Sequence, residues 1–218
     1  MEVTNLRHLL CMTLVCALPG VALGAGQAPR AEDLIDSVLA VVEGQIVMQS
    51  DVRAFLELRL IVVPDTADPT SAVLDALIKR QLVLEEVARY VVEEPTSTEV
   101  DARLAAIVTT LGGAQAFQGV LPMVGFTNDD LKQVVRDELR IERYLARRFL
   151  SARQPTEEEV AAYFMEHFTE FQTNGVTPPF DQTRGEASLR LSEVLRRELI
   201  DGWVASLSAR ADVFLVPR

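Results

Sequence analysis

The spacing of apolar positions changes once along this chain. Ser37 to Glu43 (SVLAVVE) is an almost unbroken run of Val, Leu and Ala, and Ile46 to Gln49 (IVMQ) is a second short one. Gly44-Gln45 stands between them as a turn signal, so the pair predicts a β-hairpin. From residue 50 onward the apolar residues recur at three- and four-residue intervals, the period of a helix buried along one side. Ser50 followed by Asp51 predicts a capped helix start. Phe55, Leu56, Leu58, Leu60 and Ile61 form its apolar side up to Pro64. Pro69-Thr70 opens a second helix, predicted to run to about Val92, with Val73, Leu77, Val87 and Val91 among its apolar positions.

The later boundaries are marked by local chemistry. Thr96 with Glu99 reads as a capping box, and Gly112-Gly113 closes the helix that follows it. Ala114 to Val124 is a short apolar helical piece containing Pro122 and ending at Gly125. Thr127 caps a helix from Asn128 to about Leu150. Asp129 and Asp130 lie at its positive end, and Arg140, Arg143, Arg147 and Arg148 crowd its negative end. Thr156 with Glu159 opens a helix carrying Tyr163, Phe164, Phe168 and Phe171. Gln172 to Arg184 (QTNGVTPPFDQTR) has a linker's composition. Glu186 to Arg210 predicts a last long helix, and Val213 to Val216 a closing strand. An isolated hairpin is marginal in water, so this last strand is expected to pair with the first hairpin. The predicted fold class is mainly α with a small β element that joins the two ends.

Composition narrows the picture. The 218 residues are 49% hydrophobic and 24% charged, enough for a packed core. The formal net charge of −11 disfavours nucleic acid as a partner. Residues 1–24 differ from the rest: Arg7 precedes an uncharged run from Leu9 to Leu18, interrupted by Pro19-Gly20 and followed by Ala22-Leu23-Gly24. That order predicts a secretory signal peptide, cleaved after Gly24 or as late as Ala28. The apolar run is shorter than the ~20 residues that span a bilayer. Cys11 and Cys16 both lie within it, so the mature chain is expected to carry no thiol.

Five ordered segments resemble the N-terminal domain of the SurA family of periplasmic chaperones. They are IDSVLAVVEGQIVMQSDV (Ile35 to Val52), LDALIKRQLVLEEVARY (Leu74 to Tyr90), TSTEVDARLAAI (Thr96 to Ile107), GFTNDDLKQVVRDELRIERYL (Gly125 to Leu145) and PTEEEVAAYFMEH (Pro155 to His167). LIDGWVASLSARADVFLV (Leu199 to Val216) is similar to the family's last helix and strand. The resemblance implies a SurA N-terminal-like helical domain over residues 31–171, completed by a helix and strand in residues 185–218. Family members usually carry parvulin-type prolyl isomerase domains in between. Here that interval is the linker 172–184, too short for a domain of ~50 residues. What the resemblance implies is therefore an ATP-independent holdase in the periplasm for unfolded envelope or outer-membrane polypeptides, without isomerase activity.

No catalytic constellation emerges, and no enzyme, cofactor, metal site or small-molecule substrate is expected. Beyond residue 8 the only histidine is His167, beside Glu166 and near Glu170, and a metal site needs more converging ligands. Glu157-Glu158-Glu159 fall in a helix's first turn, where acids favour the dipole. The arginines from Arg140 to Arg153 are read as solvated and paired with acidic residues. A chaperone cradle must expose apolar surface. The candidate client-binding residues are Phe117, Leu121, Met123 and Phe126 on the short interrupted piece, and Phe164, Phe168 and Phe171 near the linker. A dedicated assembly subunit gripping one folded envelope partner is the alternative. Oligomeric state is left open by the sequence.

Overall fold

The computed structural model describes residues 36–63, 66–150, 153–172 and 175–217. The signal peptide with its two cleavage points, both cysteines and the Pro64 stop lie outside the described residues.

Strands β1 (Val38–Val42) and β2 (Gln45–Met48) form the expected hairpin. Its turn sits one residue earlier than the sequence suggested, at Glu43-Gly44, with φ of 49° and 84°. Positive φ at both central residues gives the hairpin a turn whose twist matches that of the strands. Strand β3 (Val213–Leu215) pairs antiparallel with β1 on the opposite side, giving the order β2-β1-β3. The Glu43 N–H donates to the Asp212 carbonyl at 2.9 Å and the Val216 N–H to Leu39 at 3.0 Å, extending the pairing past both strand ends. The expected union of first hairpin and last strand is thus present.

Helix α1 (Gln49–Glu57) begins one residue before the predicted cap. Met48 occupies the cap position, and its N–H donates to the Asp51 carboxylate at 2.8 Å. Ser50 is instead tied backwards: its N–H donates to Asp36 at 3.0 Å, and its hydroxyl bonds the same carboxylate. The helix ends early because its apolar residues serve two cores. Val52 and Phe55 face one, Ala54 and Leu58 the other, and Arg59 leaves the helical path with φ of 52°. Helix α2 (Pro69–Ala88) is capped by Asp68, which accepts the Ser71 N–H at 3.0 Å. It stops four residues short of Val92. Val91 is 94% exposed, so nothing rewards another helical turn, and Pro95 biases the residue before it toward extended backbone.

Helices α3 (Ser97–Thr110) and α4 (Ala114–Val124) meet at 96° across Gly112-Gly113, whose φ values of 92° and 104° favour glycine. Helix α5 (Asn128–Arg148) follows the αL residue Gly125, and α6 (Glu157–Glu166) continues into a 3-10 turn at Phe168–Phe171. Capping boxes form at Thr96/Glu99, Thr127/Asp130 and Thr156/Glu159. Helix α7 (Phe180–Ser208) starts well before Glu186, so the helix takes in part of the expected linker. Pro179 supplies a cap backbone with φ of −58°. Thr183 is buried, its hydroxyl donating to the Pro179 carbonyl at 3.1 Å, and the Phe180 ring lies 5.5 Å from that of Phe164. Turn-forming composition hid residues that pack.

Among the described residues three apolar cores result. The first joins the sheet to α1, α2, α5 and the C-terminal half of α7. The second lies among α1, α3, α4 and the start of α5. Among the described residues the third draws on α6, the 3-10 turn and the N-terminal half of α7. Helix α7, 29 residues long, is shared by the first and third. Among the described residues no single helix is long and apolar enough to cross a membrane.

Candidate functional site

The seven residues proposed from sequence do not come together. Leu121, Phe164 and Phe171 are core side chains, 6%, 4% and 4% exposed, and a client could not reach them. Phe117 and Phe126 are half-buried against the second core. Only Met123 and Phe168 are open to solvent, and they border different cores. The periodicity that made these residues conspicuous is the signature of packing.

A different surface is concave. The extended segment after α2 and the last turns of α5 enclose an open groove of about 700 Å³, lined by Tyr90, Val91, Val92, Glu93, Arg143, Tyr144, Arg147 and Arg148. Its floor is aromatic. Tyr144 lies one helical turn beyond Ile141 on the buried stripe of α5, and its ring is 5.2 Å from Tyr90 and 5.9 Å from Trp203 of α7. Phe149 meets Trp203 edge-on at 5.7 Å. The Arg148 guanidinium lies 5.0 Å from the Trp203 ring, 5.7 Å from Phe149 and 5.9 Å from Tyr144. It also donates to the Tyr144 hydroxyl at 3.3 Å. Burial pushes the Tyr144 phenol above its ordinary pKa, so it stays protonated.

The extended segment is a fixed wall. Arg143 donates to the Glu93 carbonyl at 2.8 Å and pairs with Glu99, while Arg140 reaches Glu94 at 3.4 Å. The Thr96 hydroxyl and N–H, together with Arg143, hold the Glu99 carboxyl at a pKa of about 2, so the clasp is ionised across the neutral range. Above it Tyr90 is 51% and Val91 94% exposed.

The expected pairing of the basic run holds only in part. Arg140, Arg143 and Arg153 have carboxylate partners, and the Arg153–Glu159 pair is bidentate at 2.7 Å. Among the described residues Arg147 and Arg148 have none. The groove therefore offers apolar surface, aromatic faces and two unpaired guanidiniums, which suit binding rather than proton transfer. His167, at the C-terminal cap of α6, lies with Nδ1 2.7 Å from Glu170 and its ring 4.2 Å from Tyr163. The groove was hidden from sequence reasoning because its parts are far apart in the chain. The lone tryptophan, together with the run Tyr144 to Phe149, was the nearest available signal.

A scan against family models finds no match, and no curated protein matches the sequence. A solved chain does match. It belongs to a pair from Campylobacter jejuni, the virulence factor PEB4 and the periplasmic protein Cj1289, described as structurally related SurA-like chaperones. The likeness covers 84% of this chain and 100% of that one, with a TM-score of 0.52 and 9% sequence identity. At that identity the comparison speaks for architecture: this chain has the mostly helical fold, with a small three-stranded sheet, of the SurA-like chaperones.

Proposed function

We propose that this protein is a periplasmic, ATP-independent holdase that binds unfolded envelope polypeptides, outer-membrane proteins among them, and does not isomerise prolyl bonds. The observation that carries the reading is the groove after α2, where exposed Tyr90 and Val91 adjoin Tyr144, whose ring is backed by Trp203. Exposed apolar surface beside a rigid wall suits many shallow contacts with a chain that has not folded. The architectural likeness to SurA-like chaperones supports the same reading. Residues 172–179 alone separate the 3-10 turn from α7, which supports a role without an inserted isomerase domain.

The test is suppression of aggregation when a urea-unfolded β-barrel protein is diluted into buffer with the mature protein. Expected is a clear delay at equimolar ratio, without ATP and with background prolyl exchange in a peptide assay. No delay at several-fold molar excess would overturn the reading. Recovery of one stoichiometric folded partner from an envelope extract, with no effect on aggregation, would favour an assembly subunit instead.

A further inference from the structure

The two sides of the groove differ in chemistry. On the segment side Tyr90, Val91 and Val92 present apolar surface; the Glu93 backbone carbonyl accepts from Arg143, and the Glu93 carboxylate pairs with no cation among the described residues. On the helix side stand Arg147 and Arg148, which pair with no carboxylate among the described residues although the chain carries 32 acidic side chains against 21 basic ones. The other nearby acids are engaged: Glu86 pairs with Arg89 at 3.2 Å, Glu99 with Arg143, and Glu94 with Arg140, which leaves one carboxylate, Glu93, against two arginines in the groove. Arg148 is held against Trp203, Tyr144 and Phe149, so its planar fork is already ordered when a ligand arrives.

An extended polypeptide sends successive side chains to opposite sides. A segment lying along this groove would turn one set toward the apolar segment and the next toward the arginines. Resting on the polypeptide-binding reading above, we infer that the groove selects extended segments in which apolar and acidic side chains alternate, with Asp or Glu carboxylates meeting Arg147 and Arg148. Net negative charge elsewhere does not cancel this selection. At physiological ionic strength fields from exposed charges decay over ~8 Å, so the local arginines dominate inside the groove.

The test uses short peptides, acetylated and amidated so that no terminal carboxylate competes, each carrying an uncharged dye for anisotropy. One alternates Leu with Asp, one alternates Leu with Asn, and one has the composition of the first in Leu and Asp blocks. Trp203, the sole tryptophan, packs against Tyr144 and Arg148 of the groove lining, so its emission is expected to respond when the groove of the unmodified protein is filled. The alternating acidic peptide is expected to bind about fivefold to tenfold more tightly than either other peptide at low salt. The preference should fade at high salt, and the acidic and neutral affinities should converge in Arg147→Gln and in Arg148→Gln. Equal affinity for the acidic and neutral peptides, or a preference that survives both variants, overturns the inference and leaves the holdase reading standing. So does Trp203 emission that shifts with protein concentration alone, which would mean a second copy fills the groove. If no peptide binds and aggregation is not suppressed either, both readings fall.

Discussion

Replacing Phe164 with alanine separates a packing role from a binding role. The ring is 4% exposed and meets those of Phe168, Phe171 and Phe180 at 5.6, 5.2 and 5.5 Å. Truncating a buried phenylalanine costs ~3–5 kcal/mol, and the loss of stacking against these three rings places Phe164 in the upper part of that range. Among the described residues the third core has five buried members, Val160, Phe164, Phe171, Ala187 and Leu191, all drawn from α6, the 3-10 turn and the N-terminal half of α7. A core that small cannot lose so much and remain closed. Trp203 and Leu207, farther along α7, are held by the first core and should stay in place. The expected result is therefore local opening. Hydrogen exchange read by mass spectrometry should accelerate in residues 157–191, while protection in α2 and α5 is kept. Aggregation suppression should change little. Unaltered exchange in α6, together with a clear loss of client binding, would refute the assignment of Phe164 to the core.

Other outcomes follow from local geometry. Arg153 and the Thr156 N–H hold the Glu159 carboxyl at a pKa of about 2, and Glu99 is held equally low, against 4.5 for the free side chain. With the folded pKa depressed, these carboxylates stabilise the protein above pH ~4.5, and the contribution is lost as pH falls toward 2. The gap in melting temperature between the protein and its Glu159→Gln variant should narrow over that interval, and a gap independent of pH would exclude the mechanism. Gly125→Ala should cost ~1–2 kcal/mol in chemical denaturation, because φ is 75° while the added Cβ would meet no atom within 4 Å. Truncation after Asp212 removes β3 and opens the free edge of β1. A lower melting temperature and concentration-dependent light scattering are expected, and a monomer of unchanged stability would argue against the pairing.

What could be seen in the sequence was whatever a few adjacent residues decide. Thr96 with Glu99 and Thr156 with Glu159 announced helix starts because a capping box closes within four residues. The β3 pairing was also foreseeable, since a lone hairpin needs a third strand and one candidate existed. Failures came where distant packing outweighed local preference. Ser50 looked like a cap, yet Asp36 claimed its hydroxyl. Phe180 and Thr183 sat in a stretch rich in proline and glycine, and an aromatic neighbour from α6 drew them into a helix. Phe164 and Phe171 were conspicuous for the regularity that buried them. The groove required the segment after α2 and the end of α5 together, with Trp203 packed behind them, and no short window contains all three.

The union of β1 with β3 also sets an order of events. Asp212 donates its N–H to the Glu43 side chain across a sequence separation of 169 residues, and Val213 to Leu215 dock beside that contact. Until residues 213–215 have been synthesised, β1 has only β2 as a neighbour and one unsatisfied flank. During that interval the newborn chain is itself a molecule with an open sheet edge, prone to stray pairing. Closing so wide a loop makes sheet completion a late and slow step, and delayed emergence of those residues would lengthen the vulnerable period.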